Sequence, residues 1–299
     1  MIKQAKDWPL QRISPSATGG DSDPRRLQVH RAQPERDVPF VPTDEAVVNA
    51  MLDLANVGRS DVVYDLGCGD GRIIIEAGKR GARGVGVDID LQRIHECYEN
   101  ARQASLLDRL QFVRESFFNV DLHEATVVTL YLLPRINRQL RPRLLWELKP
   151  GSRIVSNNFD MDDWPADAQY YIYHRILYLW VVPAWINGRW RCVMDGPGGR
   201  QQMELRLQRS FQTAMGTLHM GRREVAISEG RLVGDQLTFR APMPRDERIA
   251  LSFACRVEGQ YLRGSCRFDD ESGKAFPLGG VWRSPVPAIG GGAIGSKPA

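Results

Sequence analysis

The chain has 299 residues, 42% of them hydrophobic and 25% charged, which fits one large or two modest globular domains and excludes a low-complexity or fibrous chain. The formal net charge of +4 is too small to demand nucleic acid or an anionic membrane as a partner. No run reaches the roughly 18 apolar residues of a membrane span, and none is expected.

Residues 1–37 are polar, rich in Pro, Arg, Ser and Gln, and without period, so they read as a disordered leader. They hold no apolar core of a secretory signal, and a cytoplasmic location is expected. From 38 to 187 the text alternates strand and helix. "EAVVNAMLDLANV" has helical spacing, with Thr43 or Asp44 as its N-cap. Strand-like "DVVYDL", helical "GRIIIEAGKRG", strand-like "ARGVGVDID" and helical "LQRIHECYENARQAS" follow. "LQFVRESF" and "ATVVTLYLLP" add two strands. "RINRQLRPRLLWEL" predicts a helix kinked at Pro142, and "GSRIVSNNF" a fifth strand. Short strands alternating with longer helices predict an α/β fold, a doubly wound Rossmann-like parallel sheet. The aromatic run "YYIYHRILYLWVVPAW" is β-prone, with its pairing left open.

From 188 to 284 the pattern loses its helices. Eight strand-like runs, "GRWRCVM", "MELRLQRSFQ", "AMGTLHM", "REVAISEGRLVG", "QLTFRA", "RIALSFACRVEG", "QYLRGSC" and "LGGVWRS", are separated by turns that mostly carry Gly. Eight strands suffice to close an all-β, lipocalin-like barrel, and the shortage of polar positions on the inward phase predicts a packed interior. Residues 285–299 are Gly- and Pro-rich and read as a disordered tail. The five cysteines, Cys68, Cys97, Cys192, Cys255 and Cys266, are odd in number and lack CxxC spacing. Reduced packing thiols are therefore expected, with neither a disulfide framework nor a metal site. The five His residues show no ligand spacing.

The chemistry concentrates in "VVYDLGCGDGRIII". Gly67, Gly69 and Gly71 let the backbone turn sharply at a strand tip and let a ligand approach it closely. The helix that follows offers unpaired N–H groups and a positive dipole end. Asp65 and Asp70 flank the loop, and two carboxylates would repel a pyrophosphate. They suit instead a ligand carrying an ammonium and no phosphate, as S-adenosylmethionine does. Asp88, at the tip of the next strand, is placed to accept hydrogen bonds from both ribose hydroxyls.

"DLGCGDG" followed by "GVGVDID" resembles the first two motifs of class I, seven-strand, S-adenosylmethionine-dependent methyltransferases. "VPFVPTDEAVVNAML", "ATVVTLYLLP" and "LKPGSRIVSNNF" followed by Trp164 resemble more closely the family of the ATP synthase c-subunit protein-lysine N-methyltransferase and its bacterial relatives. The resemblance runs from about Val38 to Trp164. It implies that Asp65, Gly67 and Gly69 line the methionine end, with Asp88 and Ile89 at the ribose and Ser116 and Phe117 at the adenine. Ser116 stands where the family often has Asp. It also implies a strap of Phe40, Val41 and Thr43 over the methionine side, with Leu130 and Tyr131 at the transferring methyl and Tyr131 as the candidate catalytic contact. Asp160, Asp162 and Asp163 would form an acidic lip for a cationic lysine.

The expected function is thus transfer of a methyl group from S-adenosylmethionine to a protein lysine. Two alternatives stand beside it: a small-molecule acceptor, or a non-catalytic protein whose β domain docks a partner. No nucleic acid is indicated. The sequence is silent on oligomeric state.

Overall fold

The computed structural model describes residues 41–196, 199–244, 246–269 and 274–284. The leader, the tail and Phe40 lie outside the described residues. Within 41–187 the elements are α1 (Glu45–Leu54), β1 (Val62–Leu66), α2 (Arg72–Lys79), β2 (Arg83–Asp88), α3 (Leu91–Gln103), β3 (Leu110–Arg114), β4 (Val127–Leu130), α4 (Pro134–Glu147), β5 (Arg153–Asn157), β6 (Ala168–Ile172) and β7 (Arg175–Val181). They form one seven-stranded sheet in the order β3-β2-β1-β4-β5-β7-β6. Strands β1 to β5 are parallel, and β1 at the centre is buried along its whole length, Asp65 included.

The expectation of a parallel sheet is corrected at its far edge. β7 runs antiparallel to both β5 and β6. The reason is the length of the connection: Ile172 pairs with Arg175, leaving only Tyr173 and His174 in the turn, and a two-residue turn can join only antiparallel strands. α1, α2 and α3 cover one face through Val47, Met51, Ile74 and Ile94. The other face has, among the described residues, a single helix, α4, whose Ile136, Leu140 and Leu144 pack with Leu122, Trp164 and Trp180. α4 runs through Pro142. The β3–β4 and β5–β6 connections carry no helix, so loops and Trp164 stand where further helices would otherwise lie.

The rest is a closed barrel. Its strands are β8 (Gly188–Gly196), β9 (Gly199–Ser210), β10 (Thr213–Met220), β11 (Arg223–Ala226), β12 (Ser228–Val233), β13 (Gln236–Met243), β14 (Asp246–Glu258), β15 (Tyr261–Phe268) and β16 (Ala275–Ser284). β11 and β12 are one bent strand, interrupted at Ile227, with Glu229 in the left-handed region at φ 51. Each strand pairs antiparallel with its successor, and β16 closes on β8 through Leu278↔Met194 and Gly280↔Cys192. The eight sequence runs are these eight walls.

Leu205, Leu207, Leu237, Leu251 and Leu262 fill the interior around a stacked Phe239–Phe253 pair whose centroids are 4.4 Å apart. Truncating such a ring to Ala removes about 3 to 5 kcal/mol. All five cysteines are free and buried. Cys255 faces Gly264 and Cys266 faces Phe253, so the two are not cross-strand partners.

Three barrel hairpins place Gly first in a two-residue turn, with φ of 66, 58 and 59 at Gly221, Gly234 and Gly259. The β9–β10 hairpin puts Phe211 in that position at φ 51. A bulky residue there costs about 1 to 3 kcal/mol of backbone strain. The turn packs on the α/β sheet: the Phe211 ring stacks on Trp164 at 5.7 Å, within 9° of parallel.

Candidate functional site

Where β1 ends, the backbone enters the left-handed region at Gly67, Gly69 and Gly71, with φ of 82, 54 and 80. Gly71 is the N-cap of α2. A side chain there would meet Cys97 Sγ at 3.0 Å and the Phe112 ring at 3.1 Å, so only glycine lets this turn pack down on α3 and β3. A solvent-open cleft of about 880 Å3 lies above the loop, between the 41–43 strap and the tips of β2 and β4. Its lining includes the expected Val41, Thr43, Asp65, Gly67, Asp70, Asp88, Ile89, Ser116, Phe117 and Tyr131.

Two expected positions differ. Gly69 braces the loop from beneath: its N–H donates to Asp88 Oδ2 at 3.0 Å and its carbonyl accepts from Cys97 Sγ at 3.1 Å. Leu130 is fully buried in the core under α4, and Leu132 lines the cleft in its place. β4 is buried at all four positions, so no alternation marks which residues face the ligand.

Asp65 is 3% exposed, and its carboxylate accepts from Thr129 Oγ1 at 2.7 Å. Burial pushes its carboxyl up to about 7, against the Thr129 hydrogen bond and with the Asp88 and Asp70 charges adding to the rise. Asp88 is also raised, by burial first. Its Oδ1 accepts from Asp90 N at 2.9 Å, and each oxygen keeps a lone pair for a further donor. The helix cap is Asp90, which accepts from Gln92 N at 3.0 Å, so Asp88 is free of that duty.

The reading of Asp70 is corrected. Arg72 grips its carboxylate with two nitrogens, Nε at 2.9 Å and Nη2 at 2.5 Å. Burial alone would raise Asp70, but the Arg72 hydrogen bonds and charge outweigh it and hold the carboxyl low. Its charge is thus balanced in part by Arg72, although it still adds to the rise of Asp65. Arg72 also donates from Nη1 to Thr43 O at 2.7 Å, tying the strap to the glycine loop. Ser116 lines the cleft while its Oγ accepts from Phe118 N at 3.3 Å.

Tyr131, just past β4, stacks on Phe159 at 6.2 Å and accepts a 2.6 Å hydrogen bond from Arg175 Nη1. The Arg175 guanidinium lies 5.2 Å from the Tyr131 ring centroid. Phe159 and Arg175 escaped the sequence reading, because the hairpin that carries Arg175 had no assigned pairing. The acidic lip is corrected too. Arg138 pairs with Asp162 at 3.2 Å and Arg141 with Asp163, both arginines reaching from α4. Of the three lip carboxylates, Asp160 alone has no ion pair among the described residues, and its Oδ1 accepts from Asp162 N at 3.2 Å.

His123, Asp121 and Glu147 come within 4.8 Å of one another. His123 Nδ1 contacts Asp121 Oδ1 at 2.5 Å, and Arg143 holds Glu147 at 2.5 Å, so these groups already satisfy one another.

Residues 65–168 match the ANTKMT methyltransferase domain. A protein-lysine N-methyltransferase of Saccharolobus islandicus (strain REY15A) is 50% identical over 129 residues, which are 42% of this chain and 80% of that one. The chain belongs to this methyltransferase family. The methyltransferase is also similar to the Xenopus laevis lysine N-methyltransferase of the ATP synthase c-subunit, at 26% over 130 residues, 44% of this chain and 57% of that one. The Mus musculus adenine nucleotide translocase lysine N-methyltransferase is 30% identical over 128 residues, with 42% and 56% covered. The methyltransferase thus spans little more than half the length of these two animal relatives. A Salinibacter ruber RNA methyltransferase solved with S-adenosyl-L-homocysteine is 46% identical, covering 49% of this chain and 96% of that one, with a TM-score of 0.48. No helix among the described residues is long and apolar enough to cross a membrane.

The cleft fits S-adenosylmethionine. A buried carboxylate that resists ionisation, Asp65, gains most from a cation placed beside it. Asp88 presents free lone pairs, and the α2 N-terminus suits the methionine carboxylate.

Proposed function

We propose that this chain transfers a methyl group from S-adenosylmethionine to the ε-amine of a lysine in a protein. The observation that carries the reading is the position of Tyr131: it lines the cofactor cleft, and Phe159 backs it with a stacked ring at 6.2 Å to form an aromatic wall. The name of the Saccharolobus relative supports the same acceptor class.

When bound, the cofactor supplies the electrophilic methyl carbon. Asp65 holds the ammonium of its methionine end, and Asp88 with Ile89 holds the ribose. Ser116 and Phe117 frame the adenine, and Val41 and Thr43 close over the methionine side. Asp160 at the lip draws in the lysine ammonium. A lysine must then lose its proton to solvent, from a free pKa of about 10.4, before its nitrogen lone pair can attack. The Tyr131–Phe159 wall strips water from the amine, which disfavours the charged form, and Arg175 beside it adds a repelling cation. Alignment in such a slot can contribute about 7 to 11 kcal/mol to the rate.

In this reading residues 38–187 carry the chemistry, and 188–284 form a second unit of which no described residue joins the cleft lining. Five free thiols suit the cytoplasm, where we place the reaction. The test is mass spectrometry of lysates incubated with the protein and deuterated cofactor. Labelled methyl groups on protein lysine support the assignment. Label appearing only in small molecules would transfer it to that acceptor class. No label in any fraction, with cofactor binding intact, would leave a binding role.

A further inference from the structure

The β9–β10 turn keeps Phe211 where three sister hairpins of the barrel keep glycine, in a backbone conformation unfavourable to a bulky side chain. The turn's two side chains are spent on one target outside the barrel. The Phe211 ring stacks on Trp164, and the Arg141 guanidinium covers it at 5.4 Å. Gln212 Oε1 accepts from Trp164 Nε1 at 3.1 Å, while its Nε2 donates to Pro165 O at 2.7 Å and Asp167 Oδ2 at 3.2 Å.

Trp164 closes the loop that follows β5. That loop turns through two residues in the left-handed region, Asn158 at φ 66 and Asp162 at φ 63, both of types that enter it readily, and it is also tied to its surroundings. Asn137 Nδ2 grips it from α4, donating to the carbonyls of Phe159 and Asp160 at 3.2 Å each, and Arg141 donates to Met161 O at 2.9 Å. Phe159 of the same loop stacks on Tyr131, which lines the cleft.

We propose that the Phe211–Gln212 turn is a positioning element of the acceptor site: by clamping Trp164 it fixes the 158–164 loop and so sets Phe159 against Tyr131. The barrel then acts on delivery of the acceptor and leaves the cofactor alone. The inference rests on the lysine-transfer reading for its kinetic consequence, and its structural core is testable without it.

The full chain is made with Phe211→Gly, Gln212→Ala and Phe211→Tyr. Glycine relieves the left-handed backbone, so Phe211→Gly spares the barrel while removing the clamp. Three quantities are read: amide hydrogen exchange of residues 158–164, the dissociation constant of S-adenosylhomocysteine, and transfer from labelled S-adenosylmethionine to a synthetic lysine-rich peptide. Phe211→Gly and Gln212→Ala should each speed exchange of 158–164 at least tenfold. They should leave the S-adenosylhomocysteine constant within twofold, and should lower kcat/KM for the peptide at least tenfold. Phe211→Tyr, which keeps the ring, should restore wild-type values. Unchanged exchange in 158–164 would overturn the proposal, and so would cofactor affinity falling in step with transfer. If exchange responds as expected while the wild-type protein methylates no lysine, the clamp stands and the lysine assignment falls.

Discussion

Thr129 donates a hydrogen bond to Asp65 across 2.7 Å, in a site where the Asp65 side chain has lost its water. One neutral hydroxyl does not replace a hydration shell, and the Asp65 carboxyl sits at about 7 in the free protein. Below that pH the free protein holds a proton that the cofactor's ammonium must displace. Cofactor affinity is therefore expected to fall about tenfold per pH unit below about 7 and to level off above it. Calorimetry in two buffers of different ionisation enthalpy should show close to one proton released at pH 6 and almost none at pH 8. Asp65→Asn should bind weakly at both and lose the slope; an affinity flat from pH 5.5 to 8 would detach Asp65 from the ammonium.

Asp88 has two tasks, and its removal should reveal both. It braces the glycine loop through Gly69 N and it faces the cleft with spare lone pairs. Asp88→Ala should weaken S-adenosylhomocysteine by about 2 to 4 kcal/mol, the worth of two hydrogen bonds to a charged acceptor. The melting temperature of the free protein should fall by only a few degrees, because Asp90 still caps α3. Equal dissociation constants for variant and parent would confine Asp88 to bracing the loop.

Tyr131 separates binding from transfer. Tyr131→Ala should leave cofactor affinity within about threefold and reduce kcat at least tenfold, since the wall at the mouth is lost. Tyr131→Phe keeps the wall and frees Arg175 from the phenol. A small change for Phe beside a large one for Ala would assign the ring, while equal losses would assign the hydroxyl.

The thiols should be silent. Burial pushes Cys192, Cys255 and Cys266 up to about 12, which leaves roughly one in 10,000 ionised at pH 8. Cys68 is raised as well, by its hydrogen bond with Cys97 and by burial. Iodoacetamide should leave the mass of the native protein unchanged over an hour and add five groups after denaturation. Rapid native labelling of Cys68 would mean that the loop opens far more than its packing against Cys97 allows.

Much of the cleft was readable because its chemistry is local. Glycines that need a left-handed backbone, and acids at strand tips, declare themselves within a few residues, and Asp65, Gly67 and Asp88 stand where that logic put them. The eight barrel walls were equally plain from alternation and glycine turns. What escaped depends on partners distant in sequence. Asp162 and Asp163 read as a free acidic lip until α4 brings Arg138 and Arg141 to them. Asp70 is different: Arg72 is two residues away at the start of a helix, and that adjacency was a legible sign of an ion pair. The β6–β7 hairpin turns on Tyr173 and His174, neither a turn-former, so no punctuation marked it. Phe211 is hidden for the same reason, since nothing in "RSFQTA" says that its ring leaves the barrel.

Because β8 pairs with β16, the first strand of the barrel must wait for the last. On the ribosome the α/β sheet is made first, and every described residue lining the cofactor cleft, from Val41 to Leu132, emerges before β8 has been translated. Trp164 lacks its Phe211 and Gln212 partners until the β9–β10 turn arrives and the meander closes behind it. The residues that line the methyl-donor cleft are thus all made before the turn that clamps Trp164, so on our proposal the donor site is complete ahead of the acceptor site.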